Sequence, residues 1–176
     1  MAKPLPDYLR PGLDVIFVGI NPGLRSSATG HHYAGPGNHF WPLLHEAGFV
    51  SEPLTYADDA RVLEWNIGLT NMVARESRSM NDLTAAEMRE GARILRGKLE
   101  RYRPRVVVFN GKAIYEVFAG HKATFGRQEE RVAGALVYVM PSTSARTASY
   151  QRADKLAHFV AVRRIARRAG QAMVAS

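Results

Sequence analysis

Asn21 is the first residue of this chain whose type and position could serve a reaction. It lies in a Gly-Ile-Asn-Pro-Gly turn after the apolar run 14–20. An amide does not titrate near neutral pH and cannot act as a general base, but its donor and acceptor can hold a water molecule in place. Such a site suits a transition state that is already cationic at carbon. The alternative is a tight turn alone, which Asn, Pro and Gly also favour.

Two further side chains could recognise a planar ring. Tyr33 lies in a loop rich in Gly and Pro and offers a flat stacking surface, although such an aromatic residue can also fill the core. Asn71, in the segment 68–73, could read the edge of a heterocycle or simply cap a strand. The adjacent His31 and His32 have no carboxylate near them in sequence, so we expect no metal site and no cofactor.

Two segments could hold phosphate groups. Gly111-Lys112 resembles the end of a phosphate-binding loop, but the first Gly and the Ser/Thr of that motif are missing, which disfavours an NTPase. A helix N-terminus beside Lys112 can still bind a backbone phosphate. The loop 141–146 offers short hydroxyl donors beside backbone N–H groups, and its alternative interpretation is a Ser/Thr-rich helix cap. Its polar members are Ser142, Thr143, Ser144 and Arg146.

Composition limits the remaining classes. The 176 residues carry a net charge of +8, and 46% of them are hydrophobic, which is typical of one packed domain covering residues 1–176. The absence of Cys excludes disulfides, thiolate nucleophiles and Cys-ligated iron–sulfur clusters. The sequence also indicates no membrane helix and no signal peptide. Residues 145–176 hold seven basic residues and one acidic residue, which favours a polyanion as partner or describes a solvated helix face.

Apolar runs alternate with amphipathic segments along the chain. This pattern predicts an α/β fold, a three-layer sandwich with a central, mostly parallel sheet of four to five strands flanked by helices. Ligands of such sheets bind at the carboxyl ends of the strands, where we expect the polar loops 21–38, 71–79 and 142–150. Strands are predicted at 14–20, 67–73, 105–110 and 136–140, with a weak strand from 127. Helices are predicted at about 40–47, 56–65, 84–102, 113–119 and 152–169. A long loop is predicted at 24–38.

The sequence resembles the mismatch-specific uracil/thymine-DNA glycosylases of the uracil-DNA glycosylase superfamily. The resemblance covers roughly residues 11–165, and its second block is closer to the thymine-DNA glycosylase branch. It rests on five ordered blocks: GINPG (19–23), GHHYAGPGNHFW (30–41), GLTNMVAR (68–75), VVVFNGK (106–112) and VMPSTSAR (139–146).

The resemblance implies roles for particular residues. Asn21 would position the hydrolytic water, Tyr33 would stack on the extruded base, and Asn71 would contact the pyrimidine. Ser26 stands where the thymine-processing branch has a small Ala, which alters the contact near the pyrimidine 5-position. His32 and Asn38 belong to the pocket block, and the implied DNA-binding residues are Lys112, Ser142, Thr143, Ser144, Ala145 and the wedge residue Arg146.

The implied activity is that of a monofunctional glycosylase. It would flip and excise uracil that is mispaired with guanine in double-stranded DNA, and leave an abasic site for base excision repair. Thymine and other damaged pyrimidines are further candidate substrates. The alternatives are a DNA-damage-binding module with little catalysis and a glycosylase for deaminated purines. We expect a slow, monomeric, cytoplasmic, nucleoid-associated enzyme that binds double-stranded DNA and no membrane.

Overall fold

A five-stranded sheet forms the centre of the computed structural model, which describes residues 4–145 and 151–175. The strands are β1 (Val15–Gly19), β2 (Ile67–Asn71), β3 (Val106–Asn110), β4 (Gly126–Arg127) and β5 (Leu136–Met140). They lie in the order β2-β1-β3-β5-β4, and every neighbouring pair is parallel except β4 and β5. This confirms the predicted mostly parallel sheet.

Helices cover both faces of the sheet. Alternate residues of each strand point to opposite faces, so Val15 and Phe17 pack in one core while Ile16 and Val18 pack in the other. The helices are α1 (Leu24–Thr29), α2 (Phe40–Glu46), α3 (Ala85–Tyr102), α4 (Lys112–Ala119) and α5 (Arg152–Ala175), with 3₁₀ helices at Tyr56–Trp65 and Met80–Asp82. The first core contains residues of α2, α5 and the longer 3₁₀ helix, and the second core contains residues of α3 and α4.

The predicted start of α3 is confirmed at atomic detail. The Thr84 hydroxyl accepts a hydrogen bond from the Glu87 N–H at 3.1 Å, and the Glu87 carboxylate accepts one from the Thr84 N–H at 2.7 Å. This reciprocal capping box satisfies two backbone donors that the helix itself cannot pair. The helix therefore begins where the sequence places it.

The predicted long loop over residues 24–38 is wrong in its first part. Residues Leu24–Thr29 form the short helix α1, which ends at Gly30 with φ +76°. A glycine adopts this left-handed conformation without the steric cost of a Cβ, and it is the usual residue after a helix. The weak strand predicted from residue 127 is only the two-residue β4.

Helix α5 packs against the first core. The apolar periodicity predicts that Leu156, Phe159, Val160 and Ile165 face inward. Phe159 is fully buried, and Leu156 and Ile165 are half-buried and pack against the same core, whereas the other buried positions are Lys155, Val162 and Ala166. No helix among the described residues is long and apolar enough to cross a membrane.

Candidate active site

A cavity of about 580 Å³ opens at the carboxyl edge of the sheet. It is formed by the ends of β1, β2 and β3 and by the loop after β5, where ligands of parallel sheets usually bind. The structure brings most of the predicted site residues to this cavity. Those that line it are Asn21, Ser26, His32, Tyr33, Asn38, Asn71, Ser142, Thr143, Ser144 and Ala145.

The Asn21 side chain is held by its amide nitrogen. Asn21 Nδ2 donates to the Arg75 carbonyl at 2.7 Å and to Ser77 Oγ at 2.8 Å. Ser77 Oγ in turn donates to the Ser79 carbonyl at 2.7 Å. Both amide hydrogens are therefore used within the protein, and among the described residues no donor contacts Asn21 Oδ1. The side chain presents an oriented oxygen acceptor, which can hold a water molecule but cannot deprotonate it.

Tyr33 is fixed from several directions at the wall of the cavity. Its ring stacks on Phe40 with centroids 4.1 Å apart, and its hydroxyl lies near the Asn110 side chain. Burial raises the pKa of Tyr33 to about 12, so the hydroxyl is neutral at ordinary pH. The backbone of Tyr33 has φ +53°, a conformation that costs free energy for a residue with a Cβ. Strain of this kind is typical of functional sites.

Asn71 reaches across the end of the neighbouring strand. A Cβ placed on Gly19 would lie only 2.4 Å from Asn71 Oδ1 and 3.4 Å from the Tyr33 hydroxyl. The amide therefore lies directly over the glycine at the end of β1, within the same cavity as Asn21. Among the described residues, no hydrogen bond engages the Asn71 amide, so both its donors and its acceptor remain available to a ligand.

His31 and His32 are held by a buried carboxylate. Asp59, only 1% exposed, accepts from His31 Nδ1 at 2.9 Å and from the His32 backbone N–H at 2.9 Å. His32 Nε2 lies 2.7 Å from the Pro6 carbonyl, which can only accept, so this nitrogen carries a proton. Burial lowers the pKa of His32 and keeps the ring neutral. His32 therefore supports the cavity wall.

Ser26 and Asn38 are tied into the backbone of the same loop. Ser26 Oγ accepts from the Ala34 N–H at 3.1 Å, and Asn38 Oδ1 accepts from the Phe40 N–H at 3.0 Å. The second contact closes a turn just before α2, whose N-cap residue is His39 and not the Asn38 that the sequence favours for that position. Both side chains thus fix the loop that carries Tyr33 while they line the cavity.

The loop after β5 is attached to the sheet through Asn110. Asn110 Oδ1 accepts from the Thr143 N–H and Asn110 Nδ2 donates to Thr143 Oγ1, each at 3.0 Å. The Thr143 carbonyl accepts from the His39 N–H at 3.0 Å. Thr143 is 1% exposed, so its hydroxyl is used inside the protein rather than at the surface. Ser142 Oγ accepts from the Ser144 N–H at 3.2 Å.

The two predicted phosphate-binding cations are placed differently. Lys112 is exposed at the first residue of α4, with its ammonium 5.2 Å from the centre of the Phe125 ring, and it does not line the cavity. Arg146 lies outside the described residues, so its wedge role remains a prediction. Among residues 4–145 and 151–175, no group of three or more His, Asp and Glu side chains could hold a metal ion.

Two residues of this site were missed in the sequence. Ser77 and Asn110 have no direct signal of their own, because their partners lie 56 and 33 residues away along the chain. Asn110 ends a strand beside Gly111, so its position at the carboxyl edge was the available clue. Ser77 gave none beyond its place in a polar loop.

Comparison with known proteins assigns the family. The model of the uracil DNA glycosylase superfamily matches residues 6–167. The G/U mismatch-specific uracil DNA glycosylase of Schizosaccharomyces pombe is 40% identical over 166 residues, which cover 88% of this chain and 51% of that protein. This chain therefore spans about half the length of that relative.

A solved structure shares the fold. The solution NMR structure of a candidate uracil DNA glycosylase from Methanosarcina acetivorans superposes with a TM-score of 0.58 at 17% identity. The match covers 93% of this chain and 98% of the other. With the family model covering nearly the whole chain, the protein belongs to the uracil DNA glycosylase superfamily.

Proposed function

We propose that this chain is a monofunctional DNA glycosylase that hydrolyses the N-glycosidic bond of uracil mispaired with guanine in double-stranded DNA. The observation that carries the proposal is the Asn21 amide, whose nitrogen is bound by Arg75 and Ser77 and whose oxygen has no protein donor among the described residues. The name of the S. pombe relative supports guanine as the opposite base.

The reaction needs a flipped nucleotide, because a base inside a duplex is out of reach. In the cavity, Tyr33 offers its ring for stacking and Asn71 offers its amide to the pyrimidine edge. The bond between C1′ and N1 breaks with its electron pair passing to the base, and hydrogen bonds from Asn71 stabilise that developing anion. The sugar becomes oxocarbenium-like.

Asn21 Oδ1 accepts a hydrogen bond from water and orients the water oxygen towards C1′. The attack forms the new C1′–O bond, and the water proton leaves to solvent or to the departing base. An amide withdraws no proton, so the water is positioned rather than activated. We therefore expect slow turnover, and a good leaving group such as uracil is required.

DNA is held at the rim of the cavity. Ser142 and Ser144 of the loop 142–145 are proposed to contact phosphates, and Lys112 adds positive charge on the same edge. Arg146 is proposed to fill the gap left by the flipped base. The buried Ser26, tied to Ala34, replaces a small Ala near the pyrimidine 5-position, which favours uracil over thymine. We expect the chain to act as a monomer, inside the cell where this DNA lies.

A substrate panel tests the proposal. Labelled duplexes with G·U, G·T and A·U pairs and single-stranded DNA with uracil are incubated with enzyme and then cleaved with alkali at abasic sites. We expect cleavage to be fastest for G·U and slower for G·T. No cleavage of any uracil substrate contradicts the proposal, and preferential cleavage of hypoxanthine or xanthine substrates favours a purine glycosylase instead.

A further inference from the structure

A lysine lies buried under the loop that follows β5. Lys155, in the first turn of α5, is 1% exposed. Lysine is almost never fully buried unless it is paired, because removing an ammonium from water is costly. Among the described residues no carboxylate contacts Lys155, and residues 1–3, 146–150 and 176 contain no Asp or Glu.

The acidic groups near this turn have other partners. The Asp154 carboxylate accepts from the Gln151 N–H at 3.2 Å, and Glu46 forms an ion pair with Arg152. Burial lowers the pKa of Lys155, with no opposing effect from a neighbouring acid. The first turn of a helix is also its positive end, where a cation is unfavourable. No carboxylate of the described residues therefore compensates the charge of Lys155.

Both contacts of the Lys155 ammonium connect it to the loop 142–145, one directly and one through His39. Lys155 Nζ lies 3.3 Å from the Ser144 carbonyl oxygen and 3.4 Å from His39 Nδ1. An ammonium only donates, so the carbonyl and the imidazole nitrogen accept, and His39 is in its neutral form. Burial lowers the pKa of His39, which agrees with that form. The His39 N–H in turn holds the Thr143 carbonyl at 3.0 Å.

We propose that Lys155 is a positioning residue for DNA binding: it fixes Ser144 and His39 and so holds the loop 142–145 in the position that binds a DNA phosphate. The phosphate, bound on the outer side of the loop, balances the ammonium charge on the inner side, and the N-terminus of α5 adds to the same positive potential. The inference rests on the proposed function, because it assigns the phosphate to the DNA substrate.

The variant Lys155→Met tests this role, since it keeps the length of the side chain and removes the charge. Excision of uracil from a G·U duplex is measured under single-turnover conditions over a range of enzyme concentrations. We expect the half-saturating enzyme concentration to rise about tenfold, as for loss of a charge-assisted contact. The maximal rate should change less than about twofold, because the base cavity is intact.

Thermal unfolding separates positioning from a folding role. Replacing an unpaired buried charge by an apolar side chain should leave Tm unchanged or raise it. Lys155→Arg, which retains the charge, should recover most of the lost affinity. Lys122→Met is the matched control, because it removes the same charge from a side chain that is 95% exposed, and it should change neither affinity nor Tm.

Two results would overturn the inference. One is an unchanged affinity in Lys155→Met, and the other is a joint fall of affinity, maximal rate and Tm, as a folding defect produces. Binding of the same duplex, followed by fluorescence anisotropy, reports on Lys155 without any excision. Failure of the wild-type protein to excise uracil is thus distinguishable from failure of the Lys155 proposal.

Discussion

The Asn21 amide owes its orientation to two acceptors that lie 54 and 56 residues away along the chain. One is the carbonyl of Arg75, whose guanidinium is bound to Glu87 at the start of α3. The other is Ser77 Oγ, which itself donates to the Ser79 carbonyl. The orientation of the Asn21 amide therefore depends on a carbonyl and a hydroxyl group of the loop 75–79.

Ser77→Ala removes one of the two acceptors of Asn21 Nδ2 and leaves the Arg75 carbonyl in place. The amide should then sample other orientations, and the maximal single-turnover rate on a G·U duplex should fall about tenfold, or ~1.4 kcal/mol. Duplex affinity should stay the same. Ser51→Ala, which removes an exposed hydroxyl remote from the cavity, is the control. An unchanged rate in Ser77→Ala contradicts this role.

Residues that follow strands could be found in the sequence, and residues that support them could not. Turn chemistry and a position after an apolar run are local signals that indicate Asn21 and Asn71. Tyr33 is indicated by its place in a loop rich in Gly and Pro. Ser77 depends on a contact between two loops, which no local pattern encodes. The buried position of Lys155 has no local signal either, because periodicity alone does not show which face a lysine occupies.

At the level of elements, the parallel register of β1 and β2 places Gly19 beside Asn71. Because Gly19 has no side chain, the Asn71 amide can occupy the space where a Cβ of residue 19 would lie. Glu87 of the capping box that begins α3 also binds the Arg75 guanidinium. The Arg75 carbonyl in turn accepts a hydrogen bond from the Asn21 amide.

Gly19→Ala should displace the Asn71 amide, because the new Cβ would lie 2.4 Å from Asn71 Oδ1. The clash involves the end of a side chain, so Tm should fall little while the maximal excision rate falls about tenfold. Gly97→Ala is a matched control, since nothing lies within 4 Å of its added Cβ. That control should stabilise α3 by about 0.5–1 kcal/mol without changing excision. A normal rate in Gly19→Ala would show that Asn71 need not occupy this position.

Elements with strong local signals were predicted, and α1 was not. The cap at Thr84 and the β-branched strands are encoded within a few residues, whereas the residues of α1 have the composition of a loop. Helix α1 begins after the Asn21 turn and ends at Gly30, which adopts the left-handed conformation. Ser26 Oγ of α1 accepts a hydrogen bond from the Ala34 N–H in the following loop.

Over the whole molecule, the positive charge of α5 is divided between two ends. Lys155 contacts Ser144 at the carboxyl edge of the sheet, whereas Gly170 lies against Arg105, the residue before β3, at the amino edge. Arg164, Arg167 and Arg168 are exposed on the second half of this helix. Three of the seven basic residues of 145–176 therefore lie on the half of α5 that is farther from the cavity.

The triple variant Arg164→Gln/Arg167→Gln/Arg168→Gln should leave binding of a short G·U duplex within about twofold of wild type, with the same dependence on salt. The single variant Lys112→Gln, at the cavity edge, should weaken binding more than the triple variant does. Titrations of both variants at several salt concentrations measure this. A larger loss in the triple variant would place duplex DNA on the far half of α5.

The most direct test of the account is the comparison of wild type with Asn21→Ala on a G·U duplex. Single-turnover excision is measured together with duplex binding by anisotropy. We expect Asn21→Ala to lose excision by at least about a hundredfold, because the water is no longer held, while binding changes less than about threefold. Excision that survives the substitution would contradict a catalytic role for Asn21. A joint loss of excision and binding would indicate that Asn21 only stabilises the structure of the turn.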